Sequence, residues 1–285
     1  MSMQHQLDHV AILVRDLDEA TAAWESLGFE VQGGGRHIGR GTANVIVRFG
    51  LDYLELMAVV DEAEARQAFR DELLNFVERW PGGIIGFVFT TRDIEGDEEQ
   101  LTAAGVPFTR LPGGRRFRPD GSLLSWRSLV LMGSWWRCAW PLISQFDQPD
   151  EERMSHEREG QHPNGAHRLQ RVDTIVRDLP AMVELYRDKF GLPLLAQAAV
   201  PDLGADSARF ALGTAEIVLL APTGPGIIAD TLAEQGEGPF QVVIKTDRLE
   251  QVRQGTLPVS PAPGDPDGLL LDPDRAFGVR MVLIP

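Results

Sequence analysis

Two side chains are chemically conspicuous because they interrupt apolar runs. His9 lies in Leu7-Asp8-His9-Val10-Ala11-Ile12-Leu13, and Glu55 in Tyr53-Leu54-Glu55-Leu56-Met57. Strand alternation puts Leu7, His9, Ala11 and Leu13 on one face of the first run. It puts Tyr53, Glu55 and Met57 on one face of the second. Polar groups inside apolar surroundings are more informative than exposed apolar ones. If the two faces meet, the imidazole and the carboxyl can satisfy each other by a hydrogen bond, or they can pass a proton. An apolar cavity would push the Glu55 carboxyl above its ordinary pKa, which suits a general base.

Other candidates surround this pair. His37 closes the glycine-rich stretch Gly33-Gly34-Gly35-Arg36-His37, read as a loop. It is either a binding residue or extra metal ligand at a cavity mouth, or an exposed loop histidine. Arg115, Arg116 and Arg118 flank Phe117 before Pro119-Asp120-Gly121. Their guanidinium groups could hold a substrate carboxylate or phosphate, or face solvent from a strand edge. Trp126, Trp135, Trp136 and Trp140 are expected in the core, with one or two (Trp126 foremost) lining an apolar pocket. His156-Glu157 lacks the second histidine of a zinc-protease motif, since Gly160 stands in its place. A single cysteine, Cys138, excludes an internal disulfide and a thiolate metal cage. No phosphate loop, nucleophile elbow or complete dinucleotide fingerprint is present.

The elements that carry these residues repeat. Val14-Arg15-Asp16-Leu17 recurs as Val176-Arg177-Asp178-Leu179, and each copy follows an apolar strand and precedes a helix pattern. Strand–turn–helix units begin near residues 7, 84, 169 and 240, and each ends in further strands, giving β-α-β-β-β four times. Residues 1–146 form one half and 168–285 the other. The linker, 147–167, carries six acidic residues between Asp147 and Glu159 and is read as solvated. Asp61 to Trp80 is predicted as one bridging helix, with Phe69, Leu73, Phe76 and Val77 on one face.

Composition narrows the function class. The chain has 285 residues, with 42 acidic and 27 basic side chains and a net charge of −15. That balance repels nucleic acid and anionic membranes. No stretch approaches the roughly 18 apolar residues of a membrane span, and the N-terminus lacks a leader pattern. A cytoplasmic setting is expected.

The unit order resembles the vicinal oxygen chelate superfamily, which includes glyoxalase I, extradiol dioxygenases and bleomycin-resistance proteins. Leu7-Asp8-His9-Val10-Ala11, Gly41-Thr42-Ala43-Asn44, Tyr53-Leu54-Glu55-Leu56 and His162-Pro163-Asn164-Gly165-Ala166 make it most similar to the glyoxalase-like domain subfamily. The resemblance implies an α+β fold: four βαβββ modules paired into two curved mixed sheets enclosing cavities. It implies metal ligands on the first and last strands of each unit. His9 and Glu55 fall on those positions in unit one. Gly86 falls on the first-strand position of unit two and Gln145 near its last-strand position. His9, Glu55 and Gln145 would suit a divalent Zn, Mn, Fe or Ni ion. In the second half the corresponding positions hold Arg171, Val218, Gln241 and Arg280 or Val282, so that half is a scaffold or a pocket using Arg171 for an anion. The leading expectation is an enzyme that moves a proton on a small oxygenated molecule, of isomerase or lyase type, in the N-terminal cavity. The alternative is a non-catalytic binding protein of the bleomycin-resistance type. Subunits of this size in such families often pair, so a homodimer is a further expectation.

Overall fold

The computed structural model describes residues 5–134 and 136–285. Trp135, and the residues before His5 that were read for a leader, lie outside the described residues. The N-terminal half runs β1 (Gln6–Val14), α1 (Leu17–Ser26), β2 (Gln32–Arg36), β3 (Thr42–Arg48), β4 (Tyr53–Val59), α2 (Glu62–Gln67), α3 (Asp71–Arg79), β5 (Gly82–Thr90), α4 (Ile94–Ala103), β6 (Phe108–Phe117), β7 (Leu123–Leu131) and β8 (Leu142–Phe146). Helix α5 (Asp150–His156) leads to the C-terminal half. That half runs β9 (Ala166–Ile175), α6 (Leu179–Glu184), β10 (Leu194–Val200), β11 (Ala205–Leu212), β12 (Ala215–Pro222), α7 (Ile227–Gln235), β13 (Gly238–Thr246), α8 (Leu249–Gln254), β14 (Val259–Ala262), β15 (Asp265–Leu271) and β16 (Arg280–Ile284).

The strands form two eight-stranded mixed sheets, ordered β2-β3-β4-β1-β5-β8-β7-β6 and β10-β11-β12-β9-β13-β16-β15-β14. In each sheet the first strands of the two modules pair antiparallel at the centre, and each pairs parallel with the last strand of its own module. This is the α+β arrangement of four βαβββ modules.

The repeated Val-Arg-Asp-Leu stretch has a physical reason. Its aspartate caps the helix that follows. Asp16 accepts from the backbone N–H groups of Asp18 and Glu19, and Asp178 from that of Ala181. Asp93 does the same for Gly96 at the start of α4. Along β1, Val10, Ile12 and Val14 turn outward into the core with Trp24 and Leu27, beneath α1. Ala11 and Leu13 turn inward and meet Met57, Ile85 and Leu73.

Three sequence expectations change. The stretch predicted as one helix breaks into α2 and α3, because Phe69 takes a left-handed φ of 57°. Phe69 is then 94% exposed and leaves the apolar face, while Leu73, Phe76 and Val77 stay on it and close one end of the N-terminal hollow. The Gly33–Arg36 stretch is strand β2, not a loop, with a register shift that leaves Gly34 unpaired. Finally, the segment read as solvated is docked: Arg153, Glu157, His162 and Asn164 are buried. His162 accepts from the Glu30 backbone N–H at Nδ1, and its Nε2 lies 3.0 Å from the Arg48 carbonyl oxygen.

The concave side of the second sheet is filled. Val218, Leu220 and Phe240 pack there with Leu203 and with Ile228 and Leu232 of α7. Among the described residues no helix is long and apolar enough to cross a membrane.

Candidate active site

The site begins with an irregularity in β1. Leu7 pairs with Phe89 and His9 with Val88, so Asp8 is an extra residue, a β-bulge. Bulges re-aim side chains. Here Asp8 Oδ2 comes within 2.7 Å of His9 Nδ1, although neighbours in a regular strand point to opposite faces. Its Oδ1 accepts from Arg153 Nη2 at 3.1 Å. Burial pushes the Asp8 carboxyl up, but the Arg153 guanidinium and the His9 hydrogen bond outweigh it and hold the pKa below the usual carboxylate range. An ionised carboxylate only accepts, so the proton of neutral His9 sits on Nδ1. Nε2 then presents its lone pair to the hollow. The Tyr53 ring stacks on the imidazole, with centroids 4.6 Å apart and planes 14° from parallel.

Glu55 projects from β4 into the same hollow. His9 Nε2 lies 3.6 Å from Glu55 Oε2, and His37 Nε2 lies 3.4 Å from Oε1. Asn44 Nδ2 donates to Oε1 at 2.5 Å. Burial raises the Glu55 pKa, yet the hydrogen bonds from His37 and Asn44 and the nearby imidazoles outweigh it. The carboxyl ends well below its ordinary range. The expectation of a raised value is therefore reversed, because the pocket is apolar in part only and donors converge on this oxygen pair. His37 is pulled down, first by burial and further by Arg116 and Arg40, against the opposing pull of Glu55. Its Nδ1 lies 2.9 Å from Thr42 Oγ1.

The hollow is small, with a cavity volume of about 60 Å³, so it accepts a compact molecule. Its lining includes the apolar side chains of Val88, Leu124, Trp126, Leu142 and Phe146. Three guanidinium groups are set among them: Arg116 is paired with Leu124 across β6 and β7, Arg40 lies over the Trp126 ring, and Arg70 completes the set. Burial lowers the pKa of Arg40, and lowers that of Arg70 to about 10, which leaves both charged at neutral pH. Arg116 also donates to Glu157 at 3.3 Å, and with Arg40 and Arg70 it gives the hollow a cationic lining that favours an anionic guest.

Of the residues singled out in the sequence, the structure brings together His9, Glu55, His37, Arg116 and Trp126. Arg116 turns inward while its neighbours Arg115 and Phe117 are exposed, as strand alternation requires. Arg118 is buried too but does not line the hollow; its Nε donates at 3.1 Å to the same Glu157 oxygen that Arg116 approaches at 3.3 Å. Gln145 does not reach the site. Its side chain accepts from the Ile94 backbone N–H and from Arg127, and donates to the Arg92 carbonyl. Ser144 takes the inward position on β8 instead, one residue earlier, which turns every side chain of that strand to the other face. On β5, Val88 pairs with His9 and Gly86 with Ala11, so the first-strand position of the second module offers no ligand. In the second half Arg171 is engaged by Asp173 and Asp265, and Gln241 donates to Asp173, so Arg171 is not available to an outside anion. Asp8, Asn44, Tyr53, Arg40, Arg70 and Ser144 were missed by sequence reasoning. Asn44 was the most accessible of them, as a polar residue on the Thr42-Asn44-Ile46 face of a strand.

The residues present do not fit the metal that the resemblance implies. Among the described residues no group of three or more His, Cys, Asp and Glu side chains is spaced to hold an ion. His9 and His37 approach different oxygens of Glu55, an amide donor already occupies one of these, and the third expected ligand faces away. Three neighbouring guanidinium groups oppose a divalent cation further.

Comparison with known proteins agrees with this architecture. The profile of the glyoxalase-like domain matches residues 7–190. A hypothetical protein from Staphylococcus aureus superposes with a TM-score of 0.71 at 15% identity, over 99% of both chains. A triple mutant of 4-hydroxymandelate synthase from Streptomyces coelicolor superposes with a TM-score of 0.63 at 16% identity, over 99% of this chain and 92% of that one. At these identities the likeness concerns the fold. The curated proteins contain no match.

Proposed function

The chain belongs to the glyoxalase-like domain family, within the vicinal oxygen chelate superfamily, and from that premise we propose that its N-terminal hollow binds a compact, carboxylate-bearing, oxygenated molecule and moves a proton on it. The observation that carries this reading is the Asp8–His9 pair, whose Nε2 faces Glu55 at 3.6 Å in a cavity that Arg40, Arg70 and Arg116 also line.

The chemistry follows from the charges. A C–H bond next to a carbonyl gives its proton to His9 Nε2. The bond's electron pair moves onto the carbonyl oxygen as an enolate, which Arg116 and its neighbours stabilise. Imidazolium at His9 is supported by Asp8 on one side and by Glu55 at 3.6 Å on the other. Returning the proton to another carbon completes an isomerisation. Loss of a leaving group from the adjacent carbon completes a lyase reaction. Glu55, held ionised, orients His37 and supports His9; His9 is the base. Trp126 and Phe146 exclude water from the apolar part of the lining.

This reading assigns the chemistry to residues 1–146 and a scaffolding role to 168–285, across the 147–167 segment. Arg118 shares Glu157 with Arg116. A cytoplasmic setting is part of the proposal, supported by the net charge of −15 and the single cysteine.

The test is solvent exchange. The protein is incubated in D2O with a panel of small 2-oxo and 2-hydroxy carboxylates, and loss of the C–H signal is followed by NMR. Exchange that disappears in His9→Asn is the expected result. Glu55 Oε1 is already engaged by Asn44 and His37, which favours a second reading, a non-catalytic binder. Saturable binding across the panel with no exchange of any member would select that reading.

A further inference from the structure

We infer that Arg153, on the helix between the two halves, is a positioning residue for the candidate base, acting on His9 through Asp8. The inference rests on the proton-transfer reading for its functional meaning, but its geometry stands apart from it.

Arg153 does not touch the hollow. It reaches Asp8 with its side chain 2% exposed. Its guanidinium lies over the Phe146 ring, 3.6 Å from the centroid. The two oxygens of Asp8 are divided between two partners: Oδ1 accepts from Arg153 and Oδ2 from His9 Nδ1. The carboxylate therefore has no rotational freedom left, and the tautomer and plane of the imidazole follow from it. The bulge delivers Asp8 to this position, and the arginine keeps it charged there. A lone buried carboxylate would otherwise take up a proton and stop accepting from Nδ1.

Helix α5 is seated firmly enough to do this. The next turn ends in Glu157, whose carboxylate gathers Arg48 at 2.8 Å, Arg118 at 3.1 Å and Arg116 at 3.3 Å. Arg116 also lines the hollow. The same short helix thus touches, at one remove, both the base and one anion-binding group. A segment rich in acidic residues and read as solvent-facing contributes two buried charges, Arg153 and Glu157.

The readout is the pair of ring-nitrogen signals of His9 in 15N-labelled full-length protein, which distinguishes a proton on Nδ1 from one on Nε2 without any substrate. The wild type is expected to show the Nδ1–H form. Arg153→Gln is expected to lose that signature and Arg153→Lys to restore most of it. A folded Arg153→Gln protein with unchanged His9 signals overturns the inference, since a merely structural arginine would lower Tm and leave the tautomer alone. If Arg153→Gln does not fold, the comparison moves to the neutral pair. Adding Arg153→Gln to Asp8→Asn should leave the His9 signals where Asp8→Asn alone puts them. A further displacement would show that Arg153 acts by another route and overturns the inference. Failure of the wild type to exchange deuterium removes the proton-transfer reading and leaves this linkage standing. Unchanged signals do the reverse.

Discussion

Asp8 and His9 are adjacent in sequence, yet their side chains meet, with Asp8 Oδ2 2.7 Å from His9 Nδ1. A regular strand forbids this, because successive side chains point to opposite faces. The bulge at Asp8 removes the prohibition. The same irregularity recurs in the second half, where Val243 pairs with Arg171 and Ile244 with Leu169, leaving Gln170 unpaired. The bulge therefore belongs to the repeated architecture. What differs is the residue placed on it: a carboxylate beside an imidazole in one half, an amide beside an arginine in the other.

The first prediction concerns that pair. His9→Asn should reduce solvent exchange by about 10²-fold or more, the usual scale for losing a positioned base. Anion binding should change much less, because the guanidinium groups remain. Asp8→Asn should also slow exchange while leaving Nε2 in the hollow. Rates and dissociation constants measured on the same samples separate the two effects. A His9→Asn protein that exchanges at the wild-type rate would place the base elsewhere.

The second prediction separates two arginines that look alike in sequence. Arg116 lines the hollow and Arg118 does not. Arg116→Met should weaken binding of a small carboxylate by about 10- to 100-fold, the equivalent of one charge-assisted hydrogen bond. Each variant removes a partner from Glu157, so both should lower Tm, but Arg118→Met should leave affinity within a few-fold. Calorimetric titration with one panel member decides between them. Equal losses of affinity would mean that Arg116 has no special place in the hollow.

The third prediction is a pH dependence with a fixed sign. The folded chain holds Glu55 below its ordinary 4.5 and Asp8 below its ordinary 3.8. Between the folded and ordinary values the unfolded chain binds more protons, so stability falls as the pH falls. The contribution is complete above about 4.5 and is lost progressively beneath it. His37 acts in the same direction at higher pH. Its folded value lies below the ordinary 6.5, so stability begins to erode as the pH drops through that range. Urea midpoints measured from pH 8 to pH 3 should decline throughout. Glu55→Gln should flatten the acid limb, and a steeper limb in that variant would contradict the assigned direction.

How much of this was legible depends on the period of each signal. The repeat of Val14–Leu17 in Val176–Leu179, with its capping aspartates, revealed the module order. Strand alternation placed His9 and Glu55 on inward faces, because both sit in runs long enough for a period of two to show. Alternation failed for Gln145, where a slip of one residue exchanges the faces of β8 and puts Ser144 inward. Bulges are invisible to such counting. They hid Asp8. Arg40, in the turn between β2 and β3, and Arg70, between α2 and α3, lie outside strands, so no period pointed them at the hollow. The acidic composition of the 147–167 segment suggested solvent. Its buried members, Arg153 and Glu157, are charges satisfied by partners far away in sequence.

The last prediction tests the carboxylate from its far side. Gly34 is the unpaired bulge residue of β2 and packs directly on Asn44, the residue that donates to Glu55. A methyl group at Gly34 would collide with Asn44 Oδ1 and would stand 2.6 Å from its backbone oxygen, which cannot rotate away. Gly34→Ala should therefore cost about 1–3 kcal/mol, the range for overpacking, and should displace the Asn44 amide from Glu55. Gly33→Ala is the natural control, because its added carbon meets only the Pro119 side chain at 3.3 Å. The pair of variants should differ in urea midpoint and in carboxylate affinity, with Gly34→Ala lower in both. Equal behaviour would show that β2 yields easily, and that Asn44 is not held against Glu55 by its packing.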